Sequence, residues 1–156
     1  TRLALDAPYR VRCLLNIASS PYFITDSDWP GVRNEVFLRF QNNLATDAPK
    51  ALKDFVALQS NTSSEVFVSS HPPSLAGLEL GLSVLQSWDL RAQLKELAMP
   101  TGFFFGRLDP ITPIKTLITM QKSYPQLYYH QFSKSAHMPF LSQTDEFIRV
   151  LEGFIS

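Results

Sequence analysis

Two patterns of apolar and polar positions alternate along this chain. Short, nearly continuous apolar runs, typical of strands buried in a parallel sheet, cover residues 11–18, 101–105 and 127–132. Between the first two runs, apolar residues recur every three or four positions, which indicates helices. Further helices are predicted over residues 2–6, 113–122 and 143–154. Strands that alternate with helices in this way predict an α/β fold.

The long helical stretch between the first two strands forms a predicted unit of its own. It covers residues 24–88, and turn sequences at 61–64 and 71–74 divide it into three or four short helices, with Ser74 near a helix start. Because strand patterns lie on both sides of it, we expect a helical lid inserted into an α/β core. The predicted division is 24–88 for the lid, with 1–23 and 89–156 as a partial core.

Composition narrows the kinds of partner and location. Fourteen basic and fourteen acidic residues give a net charge of zero, so neither nucleic acid nor an anionic membrane is expected as a partner. The apolar runs are far shorter than the roughly 20 residues of a membrane span, and the first residues do not read as a signal peptide. A single cysteine, Cys13, allows no internal disulfide, is expected in the core and favours a cytoplasmic location.

Two polar motifs follow predicted strands and carry the candidate chemistry. Asp109 follows the strand at 101–105, and His137, 28 residues later, follows the strand at 127–132. Open α/β sheets build their sites where strands end, so both side chains belong at one sheet edge. We predict a triad acid and a general base, with Asp109 about 2.6–3.2 Å from Nδ1 of His137. The alternative is a turn-forming aspartate and an ordinary loop histidine, but the two placements and the acid-then-base order favour the catalytic pair.

The chain contains no candidate for the nucleophile. No Gly-x-Ser-x-Gly sequence occurs, and Ser19 and Ser20 lack the glycines of a strained elbow, while Pro21 has no N–H to offer. In α/β-hydrolases the nucleophile precedes the acid and the histidine. The pattern therefore predicts the C-terminal portion of an α/β-hydrolase, inactive by itself.

The other two histidines do not suggest catalysis or metal binding. His130 lies within a strand, where a packed or surface position is expected, and His71 heads an exposed Pro-Pro turn. Histidines scattered at 71, 130 and 137 lack the spacing of a zinc site, so we expect neither a metal nor a cofactor.

Six segments together resemble one family of esterases: 16–21, 28–31, 55–59, 88–91, 106–109 and 136–140. The chain resembles the C-terminal part of the carboxylesterases that remove the methyl group from pimeloyl-[acyl-carrier protein] methyl ester in biotin biosynthesis. The acid and histidine motifs alone indicate only an α/β-hydrolase. The Trp-Pro-Gly segment at 29–31 and the Phe-x-Ala-Leu-Gln segment at 55–59 narrow the resemblance to this family.

The resemblance implies a serine carboxylesterase without metal or cofactor, in which Asp109 is the triad acid and His137 the general base. It also implies a substrate-binding lid segment composed of Phe55, Val56, Ala57, Leu58 and Gln59. Apolar walls with one amide suit a ligand pocket, although a buried helix stripe would give the same pattern. The implied substrate is a small or carrier-bound acyl ester. Lid arginines dock the acidic acyl carrier protein in this family; here Lys50 and Lys53 precede Asp54.

Other functions remain open at this point. A noncatalytic binding module would retain the lid without a nucleophile, and a haloalkane dehalogenase or a C–C hydrolase would keep similar acid and histidine loops. The apolar strand at 11–18 has no proline and only Arg12 as a charge. Without an N-terminal half, its open edge is expected to pair with that missing half or with a second copy of the chain.

Overall fold

A computed structural model of the chain describes residues 1–59 and 73–156 and contains a three-stranded parallel sheet. The strands are β1 (Leu14–Ile17), β2 (Thr101–Gly106) and β3 (Tyr128–Phe132), in the order β1-β2-β3. In the register, Leu14 lies opposite Thr101 and Gly102 opposite Tyr128. The predicted α/β class with three parallel strands is therefore confirmed.

Helices flank the sheet and fill much of the segment between β1 and β2. The described ranges contain α1 (Arg2–Asp6), α2 (Asn34–Thr46), α3 (Ala48–Gln59), α4 (Leu75–Ser87), α5 (Ile114–Ser123), α6 (Pro139–Ser142) and α7 (Thr144–Ile155). Ser74 begins α4 as predicted, because its Oγ accepts the backbone N–H of Gly77 at 3.2 Å. None of these helices is long and apolar enough to cross a membrane. His71 and the turn at 61–64 lie outside the described residues.

The core lies on both faces of β2, whose six residues are all buried. Successive strand side chains point to opposite faces, so Phe103 and Phe105 pack with Trp29, Leu94, Leu117 and Met120, on the side that carries α5. Phe104 packs on the other side with Phe132 and with Phe147 of α7. Burying each phenylalanine contributes about 1.5–3 kcal/mol. Asp109 therefore follows a strand, β2, that is packed on both faces. His137 follows β3, whose last residue, Phe132, is buried.

The first strand is shorter than the predicted run of 11–18. Pro8–Arg10 form a 3-10 helix, and Val11 closes it by donating its N–H to the carbonyl of Pro8 at 3.1 Å, so β1 begins only at Leu14. Proline fixes φ in a turn conformation, which the apolar pattern alone does not reveal. Cys13 precedes the strand and is half-buried, so the prediction of a core cysteine was wrong.

An irregular loop joins β1 to α2 and packs on the core. Its Trp29 is buried and donates Nε1–H to the carbonyl of Tyr22 at 2.9 Å. The guanidinium of Arg91 lies 4.5 Å from the Tyr22 ring and forms ion pairs with Asp89 at 2.6 Å and Asp26 at 3.2 Å. Arg91 therefore links the segment that follows β1, through Asp26, to the segment that precedes β2, through Asp89. The domain division at 24–88 stays a prediction.

Candidate active site

Asp109 and His137 meet at one end of the sheet, as their positions after neighbouring strands predicted. β2 ends at Gly106 and β3 at Phe132, and both strands run in the same direction. Nδ1 of His137 lies 2.8 Å from Oδ2 of Asp109, within the expected hydrogen-bond distance. Because a carboxylate only accepts hydrogen bonds, the imidazole carries its proton on Nδ1. Nε2 is then the nitrogen able to accept a proton.

The Asp109 carboxylate is held by the backbone of its own loop. Its side chain is fully buried, and Oδ1 accepts the N–H groups of Ile111 at 2.7 Å and Thr112 at 2.9 Å. Oδ1 therefore holds the turn, and Oδ2 accepts the hydrogen bond from Nδ1–H of His137. The two interpretations of this aspartate, turn former and histidine partner, describe the same side chain.

A glycine at the end of β2 allows the two loops to approach. A Cβ added at Gly106 would lie 1.8 Å from the carbonyl oxygen of Ala136 and 2.6 Å from that of Ser135. The same loops are joined by backbone hydrogen bonds, since Leu108 donates to Ser135 at 2.9 Å. No side chain therefore fits between Gly106 and the segment that carries His137. The role of Gly106 was not predicted from the sequence, although a glycine at the end of a buried strand indicates a close backbone approach.

The Asp109 loop is also tied to the end of β1. Thr112 donates its hydroxyl to the carbonyl of Ala18 at 3.0 Å, and this contact is buried. Ala18 has a φ of +48°, in the left-handed region, which costs a non-glycine residue about 1–2 kcal/mol. Such strain persists only where the surroundings fix the backbone, here next to the candidate site.

The last residue of α3, Gln59, contacts the backbone of His137. The backbone N–H of His137 donates to the carbonyl of Gln59 at 3.1 Å. Beside this contact is a cavity of about 290 Å³ whose described lining is Ile17, Val56, Gln59, His137, Met138 and Phe140. Two of the five predicted substrate-binding residues therefore border the same space as the histidine.

The other predicted lid residues face elsewhere. Phe55 and Leu58 line a second cavity of about 310 Å³, between α2, α3, α4 and the loop at Pro110 and Ile111. Ala57 is exposed and lines neither cavity. With 3.6 residues per turn, positions 55 and 58 share one face of α3, and 56 and 59 share the next. The structure thus divides the segment between two cavities, and its binding role stays a prediction.

The remaining candidates have other contacts. In residues 1–59 and 73–156, no serine, threonine or cysteine side chain hydrogen-bonds to Nε2 of His137. Ser20 donates its hydroxyl to the carbonyl of Tyr22 at 2.7 Å. His130 is half-buried, with Nε2 3.0 Å from Glu146 and its ring 4.6 Å from that of Phe132, so it occupies the packed position expected for it. Across the described ranges, no group of three or more histidine, cysteine or carboxylate side chains is placed to hold a metal ion.

Comparison with known proteins identifies relatives along the whole chain, although no family model matches it. It is 54% identical over 155 residues to the pimeloyl-[acyl-carrier protein] methyl ester esterase of Legionella pneumophila (strain Paris), covering 99% of the chain and 65% of that relative. The protein of the same name from Photorhabdus laumondii is 36% identical over 166 residues, covering 100% and 64%. The chain thus spans about 65% of the length of these curated relatives.

A solved structure shows the same fold. The structure of an esterase from Exiguobacterium antarcticum superposes with a TM-score of 0.75 at 21% identity, covering 98% of this chain and 62% of that one. The three parallel strands and their flanking helices lie within the part of the chain that superposes on that esterase. The described part of the chain therefore has the α/β-hydrolase fold, and its sequence is homologous to part of the pimeloyl-[acyl-carrier protein] methyl ester esterases.

Proposed function

We propose that this chain is the C-terminal portion of a serine carboxylesterase that hydrolyses a pimeloyl-type acyl methyl ester in biotin biosynthesis. One observation carries the catalytic part of the proposal: Nδ1 of His137 is 2.8 Å from a fully buried carboxylate, Asp109. The names of the relatives support the substrate class. The nucleophilic serine would come from residues outside this chain, since the sequence contains no Gly-x-Ser-x-Gly elbow.

In the proposed reaction, Asp109 keeps the imidazole proton on Nδ1, so Nε2 of His137 accepts the proton of the attacking serine. The serine oxygen adds to the ester carbonyl, and the imidazolium is stabilised by Asp109. His137 then returns the proton to the departing methoxy oxygen, and methanol leaves while an acyl-serine remains. Water attacks the acyl-serine by the same proton transfers, which releases the carboxylic acid and restores the serine.

The lid supplies the proposed contacts for the acyl group. Val56 offers an apolar wall and Gln59 a polar group beside His137, a mixture that suits an ester whose chain is largely apolar. A carrier protein would meet the lid through its cations. Lys50 is paired with Asp54 at 2.7 Å, whereas Lys53 is exposed and has no ion pair within the described residues. We therefore propose Lys53 as one lid cation available to an acidic carrier. The proposed location is the cytoplasm, and no cofactor is required.

The open side of β1 is the proposed contact with the rest of the protein. Within the described ranges, β1 pairs only with β2, so its other edge presents backbone N–H and C=O groups without a strand partner. Exposed apolar side chains lie close by in sequence, with Leu3 62% and Tyr9 88% accessible. Both features fit the pairing of β1 with a strand from an N-terminal segment. A second copy of the chain could form the same kind of strand pair.

The test uses the complete gene product and a methyl ester such as dimethyl pimelate. In D109N, the amide oxygen still accepts the Ile111 and Thr112 N–H groups, while the amide NH₂ faces Nδ1 and forces the imidazole proton onto Nε2. We expect kcat to fall by up to about 10⁴-fold with the unfolding midpoint nearly unchanged. H137A should be as inactive, and the 156-residue chain should not hydrolyse the ester. Full activity in D109N, or His137-dependent hydrolysis by the chain alone, would contradict the proposal.

A further inference from the structure

We propose that Gln143, between α6 and α7, is a positioning residue that holds the loop of His137. Its Oε1 accepts the backbone N–H of Lys134 at 2.6 Å and the hydroxyl of Ser135 at 3.0 Å. Both donors belong to the segment between β3 and His137. The proposal rests on the proposed function for its effect on turnover, and on the structure alone for its effect on the loop.

The direction of these hydrogen bonds fixes the orientation of the Gln143 amide. A backbone N–H can only donate, so the amide oxygen must face Lys134, and the NH₂ group then faces α7. There it donates to Oε2 of Glu146, whose Oε1 lies 3.0 Å from Nε2 of His130. A continuous chain of hydrogen bonds therefore connects β3, through the first turn of α7, to the loop of His137.

This hydrogen-bond network contacts the chain both before and after His137. Ser135 is fully buried, and its carbonyl accepts the N–H of Leu108 from the Asp109 loop. The hydroxyl of Ser142 lies 2.8 Å from Oγ of Ser135 and 3.0 Å from the carbonyl of Met138. Ser135 and Met138 flank the two residues Ala136 and His137. The backbone N–H groups of Leu141 and Ser142 also donate to the carbonyl of Met138, so the network joins the segment before His137 to α6, which follows it.

Removing the Gln143 acceptor would break the hydrogen bonds that hold Lys134 and Ser135 to the start of α7. The buried Ser135 hydroxyl would have to turn towards Oγ of Ser142, 2.8 Å away, and the segment before His137 would lose its fixed position against α7. His137 would shift relative to Asp109, and a misplacement of about 1 Å lowers turnover by roughly 100-fold. Gln143 does not line the cavity beside His137, so substrate binding should be little affected.

The experiment compares Q143M with Q121M in the complete gene product. Methionine has nearly the length of glutamine and accepts no strong hydrogen bond, and Gln121 is exposed on α5, which makes it a matched control. We expect Q143M to lower kcat by about 10- to 100-fold with KM within about twofold, and Q121M to change neither. The NMR resonance of the Nδ1 proton of His137, identified by its absence in H137A, should shift or broaden in Q143M only.

A swapped pair separates positioning from a general loss of packing. Q143E places a carboxylate against Glu146 and should lower kcat. In Q143E/E146Q, position 143 carries a carboxylate that accepts hydrogen bonds from Lys134 and Ser135, and position 146 carries an amide that donates to this carboxylate. The double variant should therefore recover most of the lost turnover. If Q143M does not fold, this rescue carries the test.

Three results would overturn the proposal: equal kcat in Q143M and Q121M, an unaltered His137 resonance in Q143M, or no rescue by the swapped pair. If the wild-type gene product hydrolyses no ester, the proposed function fails. The resonance still decides the positioning role in that case, since it needs no substrate.

Discussion

Replacing Gly106 by alanine tests whether the close approach of two loops builds the site. The added Cβ would lie 1.8 Å from the carbonyl oxygen of Ala136, the residue before His137. Non-bonded carbon and oxygen atoms stay about 3.3 Å or more apart, so the histidine loop must retreat by roughly 1.5 Å. The nearest atoms are backbone, which cannot turn aside as a side chain can. The hydrogen bond between His137 and Asp109, at 2.8 Å, would not survive such a shift.

Two effects of opposite sign decide the stability of G106A. Alanine restricts the unfolded chain and so stabilises by about 0.4–1 kcal/mol where it fits, whereas overpacking of a buried site costs about 1–3 kcal/mol. The clash should win, and the free energy of unfolding should fall by about 1–2 kcal/mol. Turnover should fall by about 100-fold or more, because the displacement exceeds 1 Å.

The assay combines urea unfolding of the complete gene product with its hydrolysis of dimethyl pimelate. G153A is the matched control, since Gly153 lies in α7 and a Cβ added there would meet nothing within 4 Å. That variant should gain about 0.5–1 kcal/mol and keep its activity. Should G106A unfold at the same urea concentration as G153A and retain its turnover, the close approach does not constrain the site.

Two further predictions concern the ion pairs of Arg91 and the edge of β1. R91L should lower the free energy of unfolding at pH 7. In the wild-type protein, the hydrogen bonds from Arg91 keep the pKa of Asp89 below its ordinary value. The pair of Arg91 and Asp89 therefore stabilises the fold above about pH 4, and this contribution is lost as the pH falls further. Urea unfolding at pH 7 and pH 3 should therefore show a smaller difference from wild type at pH 3. For the edge, light scattering of the isolated chain should give a mass above its monomer mass of 17.6 kDa, and a stable monomer would refute pairing through β1.

The sequence predicted those parts of the fold that depend on local pattern. Strands β2 and β3 and helices α5 and α7 match their predicted ranges within one residue at most ends, since each has an apolar run or stripe that is buried. Asp109 and His137 were found because the ends of parallel strands share one edge of the sheet. The start of β1 was predicted too early, because an apolar run does not distinguish a strand from the 3-10 helix that Pro8 begins.

What the sequence did not reveal depends on contacts between distant segments. The role of Gln143 requires α6 to bring it back against Lys134 and Ser135, and glutamine at a helix start carries no signal of such a bond. The need for glycine at position 106 likewise follows from where the carbonyl of Ala136 lies. Local pattern identifies the candidate acid and histidine, whereas the contacts that support them appear only once the loops are placed.

The position of α3 between two cavities has a consequence for redesigning selectivity. Val56 and Gln59 border the space beside His137, while Phe55 and Leu58 border the space behind the Asp109 loop. Substituting Val56 or Gln59 changes the volume of the cavity beside His137. Substituting Phe55 or Leu58 changes the volume of the other cavity, between α2, α3 and α4. A library that varies one pair at a time would separate these two volumes, whereas randomising residues 55–59 together would confound them. Under the proposed function, α3 is therefore the helix on which the two cavities can be varied separately.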